Sequence, residues 1–323
     1  MREHGSNFDI DRKNFPDGSS RIKNQASIIK KSVKQPDFTI VTPSFRQLEQ
    51  LGCCIASVAD QEGVTVEHIV QDGGTEGFGD FAKKMAEKWP DRPGYRKIMV
   101  SEPDQGMYDA INRGLKNARG GICAYLNCDE QYLPGVLRTV RQRFKASPKT
   151  DLFLGDVVVV DMEGQPICHR KMIRPGLAHT WTCHFGALTA GIFFRRELVE
   201  EGMGFDTSYR AAADAEWFVR ILRAGRKVET LGRTTSLFME GGDNLGLSPI
   251  AREERERLTQ SAPGWMRLLR PWWVMCHRAR RWAGGAHSTE DLRYEIYLPT
   301  SPQKTPVTAK KVRTTWPGRM WGF

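Results

Sequence analysis

Between residues 37 and 160 the chain alternates between two hydrophobic periods. Short runs rich in apolar and β-branched residues at 38–42, 67–71, 97–100, 122–126 and 152–160 read as strands. Between them, residues 47–60, 79–88, 107–118 and 133–144 carry apolar side chains at helical spacing. Strands alternating with helices predict an α/β fold whose mainly parallel sheet is flanked by helices on both faces. Residues 1–36 are polar and aperiodic, with a turn-rich Pro16-Asp17-Gly18-Ser19-Ser20, the pattern of a flexible leader. After residue 160 the pattern is less regular. It reaches a polar constellation of His184, Tyr209, Asp214 and Glu216, followed by the helical Trp217-Phe218-Val219-Arg220-Ile221-Leu222. The folded domain is expected over 37–250, a basic tryptophan-rich helical extension over 251–299, and a disordered Pro-, Thr- and Lys-rich tail over 300–323.

In open parallel sheets, ligands bind beyond the carboxyl ends of the strands, where loops and helix N-termini converge. Four segments fall there: Pro43-Ser44-Phe45, Asp72-Gly73-Gly74-Thr75, Glu102-Pro103-Asp104-Gln105-Gly106 and Asn127-Cys128-Asp129-Glu130. Acidic and small residues recur at one edge of the expected sheet, which favours a polar ligand site. Aspartate before glycine also closes turns through local hydrogen bonds, so Asp72 and Asp104 carry a structural reading beside the functional one. Asp129, at the end of the fourth strand, is placed to hold a hard cation such as Mn²⁺ or Mg²⁺ jointly with phosphate oxygens.

Composition alters this picture little. With 323 residues, 40% hydrophobic and 27% charged, the chain matches an ordinary globular protein able to bury a core. The net charge of +10 invites a nucleic-acid reading, but the excess sits at the ends: +8 from Arg252 onward, +4 over residues 1–36 and −2 between them. A nucleic-acid enzyme carries its basic groove in the folded body, so no nucleic-acid partner is expected. Seven cysteines include no C-x-x-C pair. Cys168-His169 and Cys183-His184 supply four metal ligands on paper, but buried thiols beside polar histidines are the favoured reading. No apolar run approaches the roughly 20 residues needed to span a bilayer, and the first residues lack the apolar core of a secretory signal. A cytoplasmic location, free or attached to the inner face of the plasma membrane, is the expectation.

Taken in order, Thr42-Pro43-Ser44-Phe45, Gln71-Asp72-Gly73-Gly74-Thr75, Asp104-Gln105-Gly106-Met107-Tyr108-Asp109-Ala110-Ile111-Asn112-Arg113-Gly114 and Asn127-Cys128-Asp129 make a distinctive series. The series resembles glycosyltransferase family 2, the inverting enzymes with the GT-A fold, over roughly residues 38–242. The resemblance implies transfer of a sugar from a nucleotide diphosphate sugar, a UDP-sugar being favoured. It implies that Pro43 and Phe45 line the nucleotide pocket and that Asp72 holds the base or ribose. Asp104 would lie near the nucleotide and diphosphate, with Asp109 and Asn112 shaping the donor-sugar side. Asn127-x-Asp129 corresponds to the Asp-x-Asp metal motif. Asn127 departs from the family by replacing the first aspartate, whereas Asp129 matches the direct ligand.

His184, Arg195-Arg196-Glu197-Leu198 and the stretch from Phe205 through Tyr209 to Asp214, Glu216 and Trp217 are similar to the acceptor-side half of members that build cell-surface polysaccharides. The resemblance implies Asp214 as the catalytic base for a hydroxyl of a glycan or lipid-linked acceptor. His184 would touch the diphosphate or the acceptor. Glu216 either orients the acceptor or fills the first helical turn for its charge, and Asp214 is also a candidate N-cap. A dehydrogenase is disfavoured because no G-x-G-x-x-G follows the first strand, and a nucleotidyltransferase because no Gly- and Lys-rich phosphate loop stands there.

In the extension, Trp265, Leu268, Leu269, Trp272, Met275, Cys276, Ala279 and Trp282 recur at helical spacing, with Arg267, Arg270, Arg278, Arg280 and Arg281 mostly elsewhere. Pro271 lacks an N–H donor, so two short helices are expected, with the proline opening the second. The tryptophans either meet an anionic membrane surface or pack on the domain.

Overall fold

The computed structural model describes residues 35–241, 245–301 and 303–316. The expected leader lies, up to residue 34, outside the described residues, as do residues 317–323 of the expected tail. Phe-Thr-Ile-Val-Thr-Pro-Ser is buried at every position and forms β1 (Phe38–Ser44), a strand covered on both faces. It pairs in parallel with β2 (Val66–Asp72) on one side and β4 (Ile122–Tyr125) on the other; β3 (Tyr95–Ser101) adds in parallel beyond β2. The helices joining them are α1 (Leu48–Ala59), α2 (Phe78–Lys88) and α3 (Met107–Lys116). All four strands therefore end at one edge, with the motif loops following them.

Past β4 the direction changes. After β5 (Glu130–Tyr132) and α4 (Val136–Ala146), the nine-residue β6 (Leu152–Val160) is buried throughout. Then come β7 (Pro166–Arg170), α5 (Leu177–Thr182), β8 (Ile192–Arg195), α6 (Glu197–Glu200), α7 (Ala213–Arg223) and β9 (Val228–Met239). The sheet order is β3-β2-β1-β4-β8-β6-β9-β5, with β7 also on β6. β8 runs antiparallel to both β4 and β6, while β6 and β9 are parallel, so the sheet is mixed. The strands that the hydrophobic pattern does not predict are the short or half-polar ones, β5, β7, β8 and β9.

Helix α3 lies close on the sheet because Gly114, the last residue of the long motif, has no side chain. A Cβ there would stand 2.5 Å from Cγ1 of the buried Val41. Close approach of α3 to β1 in turn fixes where the loop before the helix sits, and that loop carries Asp104.

The carboxyl-terminal part requires two corrections. The fold does not break at residue 250: α8 (Pro249–Gln260) contributes Leu258, and Ala262 follows it, to the main core. Nor is the stretch from residue 300 a disordered tail, because β11 (Thr305–Arg313) pairs antiparallel with β10 (Thr289–Ile296). Leu292, Tyr294, Ile296, Val307 and Val312 from this pair pack on Val158, Val160, Leu237 and Met239 of β6 and β9. The apolar positions of β11 are sparse among lysine, threonine and proline, so a half-buried outer strand looks like a polar tail. The expected helix pair is present as α9 (Gly264–Leu268) and α10 (Arg270–Ala283), with Pro271 in the first turn of α10. Among the described residues no helix is long and apolar enough to cross a membrane.

Candidate active site

The loops at the carboxyl ends of β1, β2, β3 and β4 open onto a cavity of about 1000 Å³. Pro43, Phe45, Asp104, Asn127, Asp129 and Asp214 all line it. Gly73 permits the close packing of this wall: a Cβ at that position would meet the Asp104 Oδ2 at 3.0 Å and the Phe45 ring at 3.1 Å. Asp104 also accepts a hydrogen bond from Gly106 N at 2.8 Å, so its turn-closing and cavity-facing readings coexist. Phe45 is 53% exposed at the cavity mouth, with the Arg46 guanidinium 4.7 Å from its ring centroid, and its remaining open surface suits a flat ligand.

The turn after β4 gathers oxygen-bearing side chains. Glu130 is fully buried and accepts from Asn127 N at 2.9 Å and Asn127 Nδ2 at 3.2 Å. That leaves Asn127 Oδ1 buried without a hydrogen-bond partner. Burial raises the carboxyl pKa of both Asp129 and Glu130, Glu130 further through the neighbouring Asp129 charge, and no cationic side chain among the described residues offsets either. Of these residues, Asn127 and Asp129 line the cavity, and amide and carboxyl oxygens are donor types suited to a hard divalent ion. Glu130 lies behind the lining and positions Asn127, a role the sequence pattern does not reveal.

Asp214 occupies the second position of α7, so it is in the first turn rather than at the N-cap; its Oδ1 accepts from Ala215 N at 2.8 Å. Tyr108, whose hydroxyl meets the Asp214 backbone, belongs to an aromatic cluster in which Phe205 packs 5.4 Å from Tyr108, 5.4 Å from Tyr125 and 5.1 Å from Trp217. Desolvation there pushes the Asp214 pKa up to about 6, against a smaller opposing effect of its hydrogen bonds to Ala215 and Tyr108 and of Arg255. The Tyr108 hydroxyl also accepts from Asp214 N at 3.4 Å.

The chain entering α7 is held from α8. Glu254, buried, accepts from Arg210 N at 2.6 Å and from Ala211 N and Ala212 N at 2.9 Å each. It thus satisfies the backbone donors of the three residues that lead into the helix, the last of them the N-cap Ala212, and so fixes the helix entrance for which the sequence offers Asp214 as cap. Periodicity cannot reveal Glu254, because the contact joins residues more than forty positions apart.

Five of the sequence-predicted residues stand away from the cavity lining. Asp72 is buried and accepts from Gly74 N at 3.0 Å, Thr75 N at 2.7 Å, Thr75 Oγ1 at 2.7 Å and Ser101 Oγ at 2.7 Å, which uses its oxygens to shape the loop. Asp109 accepts from Gln105 N at 3.0 Å and pairs with Arg113 at 2.7 Å. Asn112 binds both backbone groups of Phe205, at 2.8 and 2.9 Å, and so ties α3 to the segment before α7. Glu216 pairs with Arg220 at 2.8 Å. His184 lies with His179 and His277, its pKa far below the ordinary imidazole range through burial and those two neighbours. All seven cysteines are free.

A family model described as glycosyl transferase family 2 matches residues 39–203, the span from β1 through the segment after β8. The chain belongs to glycosyl transferase family 2. Among the relatives of this family 2 chain, a PGL/p-HBAD biosynthesis glycosyltransferase of Mycobacterium bovis strain BCG is 27% identical over 190 residues, 57% of this chain and 69% of that protein. The chain spans 65% of another relative, an uncharacterized protein of Mycobacterium tuberculosis strain CDC 1551. Two solved structures share the GT-A fold. Residues 1–349 of S. aureus TarS, in complex with UDP-GlcNAc, superpose with a TM-score of 0.53 at 14% identity, covering 69% of this chain and 64% of that one. The mannosyltransferase PcManGT from Pyrobaculum calidifontis, in complex with GDP-Man and Mn²⁺, gives 0.52 at 17%, covering 83% and 82%.

The geometry around Glu254 yields a direct expectation. Glu254→Gln places an amide donor against backbone N–H groups and is expected to lower stability by about 1.5–3 kcal/mol in urea denaturation. An unchanged midpoint would remove Glu254 from the support of α7.

Proposed function

We propose that the chain moves a sugar, with inversion, from a nucleotide diphosphate sugar to an acceptor hydroxyl, using a divalent cation held by Asp129. The observation that carries this reading is the presence, in one cavity, of two desolvated carboxyls, Asp129 with no cationic side chain beside it among the described residues and Asp214 with Arg255 and the Tyr108 hydroxyl as partners. Asp129 stands beside the unpartnered Asn127 amide oxygen, and Asp214 beside Tyr108 has its pKa pushed up to about 6. Asp129 and the Asn127 amide oxygen would hold Mn²⁺ or Mg²⁺ together with donor phosphate oxygens. When bound, that ion neutralises charge developing on the leaving nucleotide diphosphate. Pro43 and Phe45 offer an apolar surface for the base, and Asp104 a polar group beside it.

Asp214 serves as the general base. Its ionised carboxylate takes the acceptor hydroxyl proton while the acceptor oxygen forms its bond to the anomeric carbon and the bond to the diphosphate oxygen breaks. A single displacement from the face opposite the leaving group inverts the centre. General-base assistance of this kind contributes roughly 10²- to 10⁴-fold. A UDP-sugar is the donor favoured here, and the acceptor a glycan or lipid-linked alcohol of cell-surface polysaccharide synthesis. Met162, Phe185, Leu188, Phe238 and Met239 give the acceptor-side wall an apolar character that suits an amphipathic acceptor.

Attachment to an anionic inner membrane surface belongs to the same proposal. Helix α10 turns His277 and Arg281 inward, while Trp272 at 52%, Met275 at 53% and Trp282 at 75% stay exposed beside Trp265 and Leu268 of α9. Arginines flank this stripe, and each cation near an anionic surface contributes about 1 kcal/mol.

Two measurements test these statements. Nucleotide diphosphate release, followed across pH with the cognate donor and acceptor, is expected to rise as Asp214 ionises, with an acid limb in kcat/KM near 6. Tyr108 lowers that pKa, so Tyr108→Phe should move the limb upward; Asp214→Asn should lose turnover by at least about 10²-fold while keeping its fold, and retained turnover would exclude Asp214 as base. In flotation assays, the full chain should bind vesicles containing anionic lipid, and replacing Trp265, Trp272 and Trp282 together by alanine should release it; equal binding by both proteins would remove the stripe from the proposal.

A further inference from the structure

His179 on α5, His184 just beyond that helix and His277 on α10 come from segments nearly a hundred residues apart, yet their rings converge. His179 and His277 stack at 3.8 Å between centroids and 4° between planes; His184 meets them edge-on at 4.5 and 5.3 Å. One ring nitrogen from each residue lies within 4.8 Å of the other two. All three side chains are buried, His179 to 4% and His277 to 5% exposure. The interior atoms His179 Nε2 and His277 Nδ1 have no hydrogen-bond partner. Buried polar nitrogens are normally satisfied, so two such atoms in a cluster whose ring nitrogens approach within 4.8 Å of one another ask for a ligand.

We propose that His179, His184 and His277 bind one divalent transition-metal ion, for which zinc is the reference, through three imidazole nitrogens with one position left open. Three nitrogen donors and no carboxylate select against Mg²⁺ and Mn²⁺ and in favour of zinc or cobalt, so this centre is chemically distinct from the oxygen cluster at Asp129. Around a tetrahedral zinc, nitrogens stand about 3.3 Å apart at Zn–N distances of about 2.0–2.1 Å, which the cluster reaches by rotation of the stacked pair out of parallel. Burial, the neighbouring imidazoles and the guanidinium groups of Arg170, Arg270, Arg280 and Arg281 keep the rings neutral, which is the ligating form. The same guanidinium groups oppose a bare dication. They favour hydroxide or another anion in the open position, which reduces the net charge of the centre.

The placement gives this ion a structural role. Gly186 lines the active-site cavity, and a Cβ there would lie 3.4 Å from His277 Cε1 and 3.8 Å from His184 Nε2. The cluster therefore backs the loop that forms part of the cavity wall and joins it to α10, the helix with the exposed tryptophans. Metal binding would fasten the two together.

The test uses the full chain, stripped with chelator and reloaded with zinc or cobalt alone. One zinc per chain should survive gel filtration, the thermal midpoint should rise, and cobalt should give the intense visible bands of a four-coordinate site without thiolate charge transfer. His277→Ala and His179→Ala, each verified as folded by circular dichroism, should lose the retained metal, whereas Asp129→Ala should keep it. Failure of the wild-type chain to retain zinc or cobalt, equal retention in the histidine variants, or a thiolate band would overturn the proposal. Loss of donor binding in Asp129→Ala with zinc retained leaves the trihistidine centre standing apart from the transfer reaction.

Discussion

Carboxyl groups withdrawn from water and left without a cationic side chain dominate the electrostatics of the cleft. Elsewhere the chain satisfies its acids: Glu67 pairs with Arg119, Glu216 with Arg220, and Asp72 accepts four hydrogen bonds from its own loop and Ser101. Among the described residues Asp129 and Glu130 receive no such cation, and their protonated forms are favoured by burial. Beside these two acids the Asn127 amide oxygen is buried without a hydrogen-bond partner. On the proposed function, Asp129 and that oxygen form part of a coordination sphere that the donor diphosphate and its cation complete.

Across the cavity the same physics has a different result. Asp214 lies beside Tyr108, and desolvation raises its pKa only to about 6, so it is largely ionised at neutral pH, the form that the proposed general base requires. Because its folded-state pKa exceeds the ordinary value of 3.8, ionisation opposes folding, and stability from this group declines as pH rises through that interval. The opposing support comes from Glu254, whose three backbone contacts fix the entrance to α7 from a helix whose sequence resembles that of an appendage. The carboxyl-terminal region is thus joined to the site by Glu254, by Ala262 in the core and by the β10–β11 pair on β6 and β9.

The first half of the fold is legible in the sequence because its signals are local. Apolar and β-branched clusters mark the strands locally, and β1, β2, β3, β4 and β6 appear within two residues of their expected bounds. Pro43, Phe45, Asp104, Asn127 and Asp129 are legible for the same reason, since strand ends dictate where a ligand sits, and each lines the cavity. Residues whose positions rest on long-range packing are not. Asp109 and Asn112 share the motif, but their helix turns them toward Arg113 and Phe205. Glu254 and the meeting of His179 with His277 depend on helices packed from distant sequence, and β11 hides its few buried positions among polar ones.

The central claim is that the Asp129 cluster binds a nucleotide diphosphate through a divalent cation. Isothermal titration of UDP and GDP into the full chain, with and without Mn²⁺, probes it without needing the acceptor. The account predicts binding of at least one nucleotide that requires Mn²⁺ and is lost in Asp129→Ala while the fold is retained. Nucleotide binding of equal strength without the metal, or undiminished in that variant, would contradict it.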